Sequence, residues 1–169
     1  MSAKVYFISD LHLGHKKILE FSGSYREGLT VDDHDDWLIE QWNSVVRKRD
    51  VVYLLGDVAF SREGLAKLSL LRGDKKLIMG NHDKFRASEY EEQGLRVIGG
   101  VVKYKNFWLS HSPIHPAELR GLKNIHGHVH SNSIPDDRYI NVCVERLSGI
   151  PLFLEDIRQH FEDTSVDRL

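Results

Sequence analysis

The sequence predicts an α/β fold with more than one β-sheet. In the first half of the chain, short runs rich in β-branched and aromatic residues alternate with segments of helical periodicity, which is the pattern of strands joined by helices. In the second half, several short apolar runs follow one another, which indicates a further set of strands. The 169 residues suffice for one compact domain and little more. We therefore expect a single domain over residues 1–169, without a cap domain.

Local sequence patterns predict each strand and helix of the first half. Apolar runs of strand length lie at residues 4–9, 51–55 and 75–79. Helices are predicted over residues 16–21, 32–46, 62–71 and 84–93. The clearest is the helix at 32–46, where Trp37, Leu38 and Trp42 recur at helical spacing. Thr30 precedes this helix and can cap it together with Asp33.

The second half is predicted to be rich in strands. The strand-like runs are residues 95–98, 101–104, 107–110, 124–126, 138–144 and 151–154. A short helix near residues 155–161 follows the last of them. One cysteine, Cys143, excludes an internal disulfide and a cysteine-based zinc module. Because it lies in an apolar run, we interpret it as a small buried hydrophobe.

The net charge and the length of the first apolar stretch argue against several classes of protein. Lys plus Arg is 23 and Asp plus Glu is 25, which gives a net charge of −2. This balance argues against a nucleic-acid binder that works by charge alone, and against recruitment to membranes by a polybasic surface. The first apolar stretch is too short for a signal peptide or a membrane span. We therefore expect a cytoplasmic protein with no membrane partner and no strong affinity for nucleic acid.

The acidic run Asp32-Asp33-His34-Asp35-Asp36 admits two interpretations. It could bind a metal ion, or it could form the first turn of the following helix, where negative charge complements the helix dipole. Clustered acids without a turn-forming glycine match no calcium loop. The helix start is the favoured interpretation.

Side chains of the kinds that bind metal ions occur directly after predicted strands. The chain has ten histidines, and half of them fall in five blocks that each follow a predicted strand. The blocks are Asp10-Leu11-His12, Gly56-Asp57, Gly80-Asn81-His82-Asp83, His111 and Gly127-His128-Val129-His130. In open α/β sheets, sites lie in the crevice beyond the carboxyl ends of the strands. All five blocks are therefore expected at one rim of the fold.

The spacing within the blocks fits metal ligation. Asp10 and His12 are two residues apart, as are His128 and His130, so each pair would project to one side of an extended chain. The glycines at 56, 80 and 127 each precede a candidate ligand and let the backbone lie close to an ion or phosphate. Carboxylate, imidazole and amide donors suit Mn, Fe, Zn, Co or Ni and suit calcium poorly.

The order of the five blocks resembles the signature of the calcineurin-like metallophosphoesterases, in particular their small bacterial and phage branch. The flanking runs Phe7-Ile8-Ser9-Asp10-Leu11-His12-Leu13-Gly14-His15 and Asn124-Ile125-His126-Gly127-His128-Val129-His130 share this resemblance. It covers residues 10 to 130, and no ligand position is missing. It implies a four-layer αββα sandwich of two mixed β-sheets flanked by helices.

The resemblance also implies a ligand set for two divalent metal ions, Mn first, with Fe, Zn, Co or Ni as alternatives. The first ion would be held by Asp10, His12, Asp57 and His130. The second ion would be held by Asp57, Asn81, His111 and His128. Asp57 would bridge the ions because a carboxylate has two oxygens. A water that bridges both ions would lose a proton near neutral pH and become the nucleophile.

Further roles follow from the same resemblance. His82 would act beside the reacting phosphorus, by stabilising the transition state or protonating the leaving oxygen, and Asp57 would be catalytic as the bridge. Asn81 and His82 are expected to touch substrate. So is His15, because it closely follows Asp10 and His12 in the sequence and could line the pocket. Asp83 would either orient His82 or begin a helix. Five other side chains are weaker candidates for the pocket: Lys16, Lys17, Arg26, His115 and Arg138. For the lysines and arginines among them, a role as solvated surface charges is favoured.

These expectations lead to a metal-dependent phosphoester hydrolase, with phosphodiesters favoured over monoesters. The substrate would be a small or nucleotide-type phosphodiester. One alternative is a phosphomonoesterase or protein phosphatase of the same family, and another is a catalytically silent interaction module on the same fold. Helical HD-type phosphohydrolases are disfavoured because His82 follows a strand and a glycine. Metallo-β-lactamase-like hydrolases are disfavoured because their His-x-His-x-Asp-His motif is absent.

Overall fold

Nine strands form two mixed sheets among the residues described, as the sequence predicted. The computed structural model describes residues 2–21, 26 and 29–159. In chain order the strands are β1 (Val5–Ile8), β2 (Val51–Leu54), β3 (Asp74–Ile78), β4 (Leu95–Gly99), β5 (Val101–Tyr104), β6 (Phe107–Ser110), β7 (Lys123–His126), β8 (Tyr139–Asn141) and β9 (Leu152–Phe153). The first sheet has the order β4-β3-β2-β1-β9, and the second has the order β5-β6-β7-β8.

Most of the strand pairs are parallel. In the first sheet β1 to β4 run parallel and β9 is antiparallel to β1. In the second sheet β5 is antiparallel to β6, while β6, β7 and β8 run parallel. The carboxyl ends of the parallel strands of each sheet therefore share an edge, which is where the candidate ligands follow.

Helices flank these sheets. They are α1 (Ile18–Phe21), α2 (Val31–Val45), α3 (Arg62–Lys67), α4 (Ala87–Glu92) and α5 (Val144–Leu147), and residues 154–159 are also helical. Thr30 caps α2 as predicted, since its Oγ1 accepts from the backbone N–H of Asp33 at 3.1 Å. No helix within the described ranges is long and apolar enough to cross a membrane.

Alternating residues of the central strands feed two apolar cores. Ile8 and Leu54 belong to the core between the first sheet and the helices, which also contains Trp42 of α2. Phe7 and Tyr53 point to the opposite face, where they meet Leu109, Ile125 and other residues of the second sheet. This period of two is what places the second sheet against the first.

Several predicted boundaries need correction, among them the helix predicted at 16–21, which begins only at Ile18. The helix predicted at 84–93 begins only at Ala87, and the one predicted at 62–71 is α only to Lys67 before a 3₁₀ turn at Leu68–Leu70. The strand predicted at 138–144 stops at Asn141, because the chain leaves the second sheet there to pair with the end of β1. The helix predicted at 155–161 is observed over 154–159, and residues 160 and 161 lie outside the described residues.

The acidic run forms the start of α2, and Asp35 in it has a second structural role. The buried Asp35 carboxylate accepts from the backbone N–H of Gly14 at 3.0 Å and from Lys67 Nζ at 3.1 Å. It thereby fastens α2 to α3 and to the loop that follows β1. The structure thus gives this carboxylate protein partners, as the helix interpretation requires.

Candidate metal centre

The carboxyl ends of the two sheets meet through Ser9, the residue after β1. Its backbone N–H donates to the carbonyl of Val142 at 2.9 Å, and its carbonyl accepts from Val144 N–H at 3.1 Å. The loop after β7 is joined to the loop after β6 by a hydrogen bond from Gly127 N–H to the carbonyl of His111 at 2.8 Å. These bonds bring the seven predicted ligands together: Asp10, His12, Asp57, Asn81, His111, His128 and His130.

A first group of donors surrounds Asp10. Its Oδ1 lies 3.6 Å from His12 Nε2 and 3.8 Å from His130 Nε2, and His12 Nε2 lies 3.9 Å from Asp57 Oδ2. Asp10 Oδ1 and His12 Nε2 are buried, and neither has a hydrogen-bond partner in the protein. Buried polar atoms are normally paired. Unpaired oxygen and nitrogen donors that converge at these distances fit a divalent cation.

A second group of donors surrounds His111 and shares Asp57 with the first. His111 Nε2 lies 3.4 Å from Asp57 Oδ2, 2.9 Å from Asn81 Oδ1 and 3.1 Å from His128 Nδ1. Nitrogen and oxygen donors without a thiolate are typical ligands of Mn, Fe, Zn, Co and Ni. The donor chemistry of both groups thus fits the predicted ions.

The geometry shows which oxygen of Asp57 faces the two donor groups. Asp57 was expected to bridge two ions because a carboxylate has two oxygens. In the structure Asp57 Oδ1 accepts from the backbone N–H of His82 at 2.9 Å, so Oδ2 alone faces both groups. Asp10 follows the same pattern, because its Oδ2 accepts from the backbone N–H of His128 at 2.9 Å while Oδ1 faces the site. Each carboxylate is therefore fixed by one oxygen and open at the other.

Two glycines allow this arrangement by their lack of a side chain. A Cβ atom added to Gly80 would lie 2.2 Å from Asp57 Oδ1. A Cβ atom added to Gly127 would lie 1.9 Å from Ser9 Oγ and 2.5 Å from Asp10 Oδ2. From the sequence, these glycines were expected to allow close approach of an ion or phosphate. The structure shows close approach of the carboxylates of Asp57 and Asp10, both predicted ligands, and of Ser9.

Five of the seven predicted ligands adopt left-handed backbone conformations, with φ between 51° and 71°. They are Asp10, His12, Asp57, His128 and His130. The pairs spaced by two residues were expected to be extended, and this expectation is wrong. A left-handed residue at the end of a strand turns the chain sharply, which lets both members of each pair reach the same centre. Such conformations are strained in residues other than glycine and concentrate at functional sites.

The electrostatics favour ionised carboxylates and a neutral His12. Burial raises the pKa of Asp10, but the neighbouring imidazoles of His12 and His111 outweigh it and hold that pKa below its usual range. The pKa of Asp57 is likewise lowered, because its contact with His111 outweighs burial. Burial lowers the pKa of His12. Metal ligands must be deprotonated, so these three shifts suit cation binding. Two other predicted ligands shift the opposite way: burial is outweighed by contact with Asp57, which raises the pKa of His111, and the hydrogen bond with Glu145 raises the pKa of His130.

Three of the four predicted histidine ligands are oriented through their second ring nitrogen. Nδ1 of His111 lies 2.7 Å from the carbonyl oxygen of Leu55, and Nδ1 of His130 lies 3.0 Å from Glu145 Oε1. Nδ1 of His12 lies 3.0 Å from Nδ1 of His15. Metal-ligating histidines characteristically use the other nitrogen in this way, which fixes their tautomer.

A cavity of about 590 Å³ opens over the site. Its described lining residues are His12, His15, Ile18, His82, His128, Val129, His130, Ser131 and Asn132. His82 stands exposed at the rim, 6.4 Å from His12 between ring centroids. His15 lines the cavity as expected, and it also contacts His12. Phe60 stacks on His15 at 3.9 Å and on His12 at 4.5 Å, a contact that no sequence pattern indicated.

Asp83 has neither of the roles that the sequence suggested. Its two oxygens accept from the backbone N–H groups of Asp57, Val58 and Gly80 at 2.8 to 3.0 Å. It therefore fixes the loops after β2 and β3 against each other, and α4 begins four residues later. The only advance signal was its position directly after the candidate ligands.

Of the five weaker pocket candidates, Arg26 requires the clearest correction. Arg26 is fully buried, and its Nη2 donates to Glu145 Oε1 at 3.0 Å and to the Asp10 carbonyl at 2.9 Å. Arg138 pairs with Asp136 on the surface, and His115 accepts from Ala117 N–H outside the cavity. Lys16 and Lys17 are exposed. No lysine or arginine lines the cavity among the residues described.

The two-sheet fold and its cluster of oxygen and nitrogen donors define an α/β protein with a candidate metal-binding site. The family model for calcineurin-like phosphoesterases matches residues 3–166, and the chain belongs to this family. An uncharacterized protein of Methanocaldococcus jannaschii is 36% identical over 98% of this chain and 95% of its own length. The Gene 66 protein of Mycobacterium phage D29 is 34% identical over 95% of this chain and 97% of its own length.

Two solved structures share the fold. A protein of unknown function from Aquifex aeolicus superposes with a TM-score of 0.73 at 26% identity, covering 94% of this chain and 99% of that one. The nuclease MPE of Pseudomonas putida superposes with a TM-score of 0.53 at 20% identity, covering 75% of this chain and 61% of that one. At 20% identity the likeness to the nuclease concerns the fold alone.

Proposed function

We propose that this protein is a phosphoester hydrolase that uses two divalent metal ions and prefers phosphodiesters. The observation that carries the proposal is the pair of donor groups that share Asp57 Oδ2, one around Asp10 Oδ1 and one around His111 Nε2. The orphaned buried atoms of Asp10 and His12 support cation binding in the first group. Membership of the calcineurin-like phosphoesterase family supports a phosphoester as substrate.

The proposed ligands are those predicted from the sequence, with Mn as the first candidate and Fe, Zn, Co or Ni as alternatives. The first ion would be held by Asp10, His12, Asp57 and His130. The second ion would be held by Asp57, Asn81, His111 and His128. When bound, two such ions activate water and neutralise the developing charge on phosphoryl oxygens. The remaining tasks, protonation and substrate contact, fall to side chains of this chain.

His82 is the proposed acid of the reaction. Its backbone N–H donates to Asp57 Oδ1 at 2.9 Å, which fixes the residue beside the shared carboxylate. Its ring lines the cavity, where an imidazole N–H can donate to the leaving-group oxygen or to a phosphoryl oxygen. His15 and Asn81 are the proposed additional contacts to substrate. Asp57 is catalytic as the carboxylate common to both donor groups.

The cavity lining favours a phosphodiester over a monoester. A monoester is a dianion at neutral pH, and proteins commonly recognise such groups with arginine or lysine. The described lining is instead made of imidazole, hydroxyl, amide and apolar groups. A singly charged diester needs less counter-charge. A volume of about 590 Å³ suits a small or nucleotide-type diester, and the net charge of −2 does not favour long nucleic acid.

The test is turnover of an aryl phosphodiester and the matching aryl phosphomonoester by metal-free protein with Mn, Fe, Co, Ni, Zn or Mg added singly. Elemental analysis measures the bound metal in the same samples. His82→Ala should lose turnover, and His115→Ala, at an exposed histidine outside the cavity, should not. Faster monoester hydrolysis would instead support the phosphomonoesterase alternative. Failure to bind metal would refute the proposal and support an interaction module.

A further inference from the structure

The histidines of the two proposed metal positions differ in the partner of their second ring nitrogen. Nδ1 of His111 lies 2.7 Å from a backbone carbonyl, that of Leu55. Nδ1 of His130 lies 3.0 Å from Oε1 of Glu145, a buried side chain. A side chain can be exchanged by mutation and a carbonyl cannot. The first position therefore depends on a residue that is not itself among the predicted ligands.

Glu145 belongs to a segment that contacts the first position through alternate residues. Asn141 Nδ2 donates to the carbonyl of His130 at 2.7 Å. Cys143 Sγ lies 3.2 Å from Asp10 Oδ2. Glu145 then reaches the ring of His130 from the first turn of α5. The segment 141–145 thus holds His130 by its backbone and its ring, and contacts the fixed oxygen of Asp10.

The Glu145 carboxylate is itself held in place. Arg26 Nη2 lies 3.0 Å from Glu145 Oε1 and donates to the Asp10 carbonyl at 2.9 Å. The Arg26 and Glu145 side chains are 0% and 1% exposed. A buried carboxylate with a cationic partner cannot swing away at low cost. Oε1 is therefore held in the position from which it accepts a hydrogen bond from His130 Nδ1–H.

We propose that Glu145 is the positioning residue of the first metal position, where its Oε1 keeps the proton of His130 on Nδ1 and leaves Nε2 free to bind the ion. The inference rests on the proposed function, because it presumes a metal at this position. The nitrogen of a histidine that carries the proton is set by the hydrogen bond the other nitrogen makes. Without Oε1, His130 loses both its tautomer and its ring orientation.

Two substitutions at Glu145 separate the hydrogen bond from the charge. Glu145 Oε2 is buried and has no hydrogen-bond partner. In Glu145→Gln the amide oxygen can replace Oε1 and the amide nitrogen can replace Oε2, so the contacts to His130 and Arg26 are kept. Glu145→Ala removes the acceptor altogether. Glu40→Ala, at an exposed glutamate of α2, is the matched control.

The experiment is stepwise titration of metal-free protein with Mn²⁺ by calorimetry, with elemental analysis of the product. Glu145→Ala should weaken one of the two binding steps about 10- to 100-fold and leave the other unchanged. Glu145→Gln should bind Mn²⁺ more tightly than Glu145→Ala and close to wild type, because it keeps the acceptor for His130 Nδ1–H. Unchanged binding in Glu145→Ala would overturn the inference alone. A Glu145→Gln variant as weak as Glu145→Ala would also overturn it, because charge and not the hydrogen bond would then act.

A second measurement does not require the alanine variant to fold. Long-range ¹H–¹⁵N spectra of the wild-type imidazoles, at a pH where they are neutral, report which nitrogen of His130 carries the proton. The proposal expects the Nδ1–H tautomer in metal-free wild type and in Glu145→Gln. An Nε2–H tautomer at His130 would refute it. Wild-type protein that binds no metal would refute the proposed function instead, so the two failures are distinguishable.

Discussion

Gly127→Ala tests the junction between the sheets without replacing any of the predicted ligands. Gly127 is not in a left-handed conformation, so alanine has no backbone penalty there. The obstacle is space, because the new Cβ would lie 1.9 Å from Ser9 Oγ, 2.6 Å from Ser9 Cβ and 2.5 Å from Asp10 Oδ2. Ser9 cannot simply retreat, since its backbone N–H and carbonyl both bond to the segment after β8.

The magnitude follows from these distances. An ordinary Cβ contact begins near 3.4 Å, so Ser9 Oγ has to move by about 1.5 Å and Asp10 Oδ2 by about 0.9 Å. Overpacking of this kind costs about 1–3 kcal/mol. Displacing Ser9 Oγ from the Leu55 carbonyl, 2.7 Å away, costs about 1 kcal/mol more. The free energy of unfolding should therefore fall by about 2–4 kcal/mol.

The assay is urea denaturation of the metal-free protein, with the slope checked against wild type. Gly100→Ala is the control, because nothing lies within 4 Å of the Cβ it would add and its φ is not positive. That variant should lie within about 0.5 kcal/mol of wild type. If Gly127→Ala were as stable as Gly100→Ala, the close packing of Gly127 against Ser9 and Asp10 would be refuted.

Three further predictions concern the ligands and His82. His82→Ala should bind both metals and lose at least about 100-fold in turnover, as measured by elemental analysis and kinetics on one sample. Asp57→Ala should abolish activity and most metal binding, and two fully occupied positions by calorimetry would contradict its shared role. The free energy of unfolding of the metal-free protein should fall as pH drops below about 4. The reason is that folding lowers the pKa values of Asp10 and Asp57, so protonation of these carboxylates favours the unfolded chain. Denaturation curves between pH 3 and 6 test this, and Asp10→Asn should flatten the dependence.

The position of the predicted metal ligands at one edge of the sheets could be predicted, because it follows from the local sequence and one rule of sheet topology. Each block directly follows a strand-like run, and the carboxyl ends of parallel strands share an edge. Asp57 and Asn81 therefore come together although no local pattern links them. The boundaries were less predictable where a long-range bond decides them. The strand after residue 138 ends at Asn141 because the chain then pairs with Ser9.

The residues that fix the ligands could not be predicted. Glu145 lies 15 residues from His130, and Asp83 lies 26 residues from Asp57, whose N–H it accepts. Neither spacing is a local motif, and each contact exists only once loops that are distant in sequence have come together in the fold. Arg26 resembled a surface charge in the sequence because nothing local indicates its buried partner. Long-range partners of this kind carry no periodic signal.

The metal-free protein concentrates unfavourable features at one edge of its sheets. Each left-handed non-glycine ligand costs about 1 kcal/mol or more. A buried carboxylate oxygen without a donor, such as Asp10 Oδ1, costs about 1–3 kcal/mol. A cation that binds only the folded chain adds about 2.7 kcal/mol of stability at a free concentration about 100 times its dissociation constant. The unpaired carboxylate oxygen is thus an atom that a cation would satisfy, and binding would offset the backbone strain, so metal binding and folding stability should rise together.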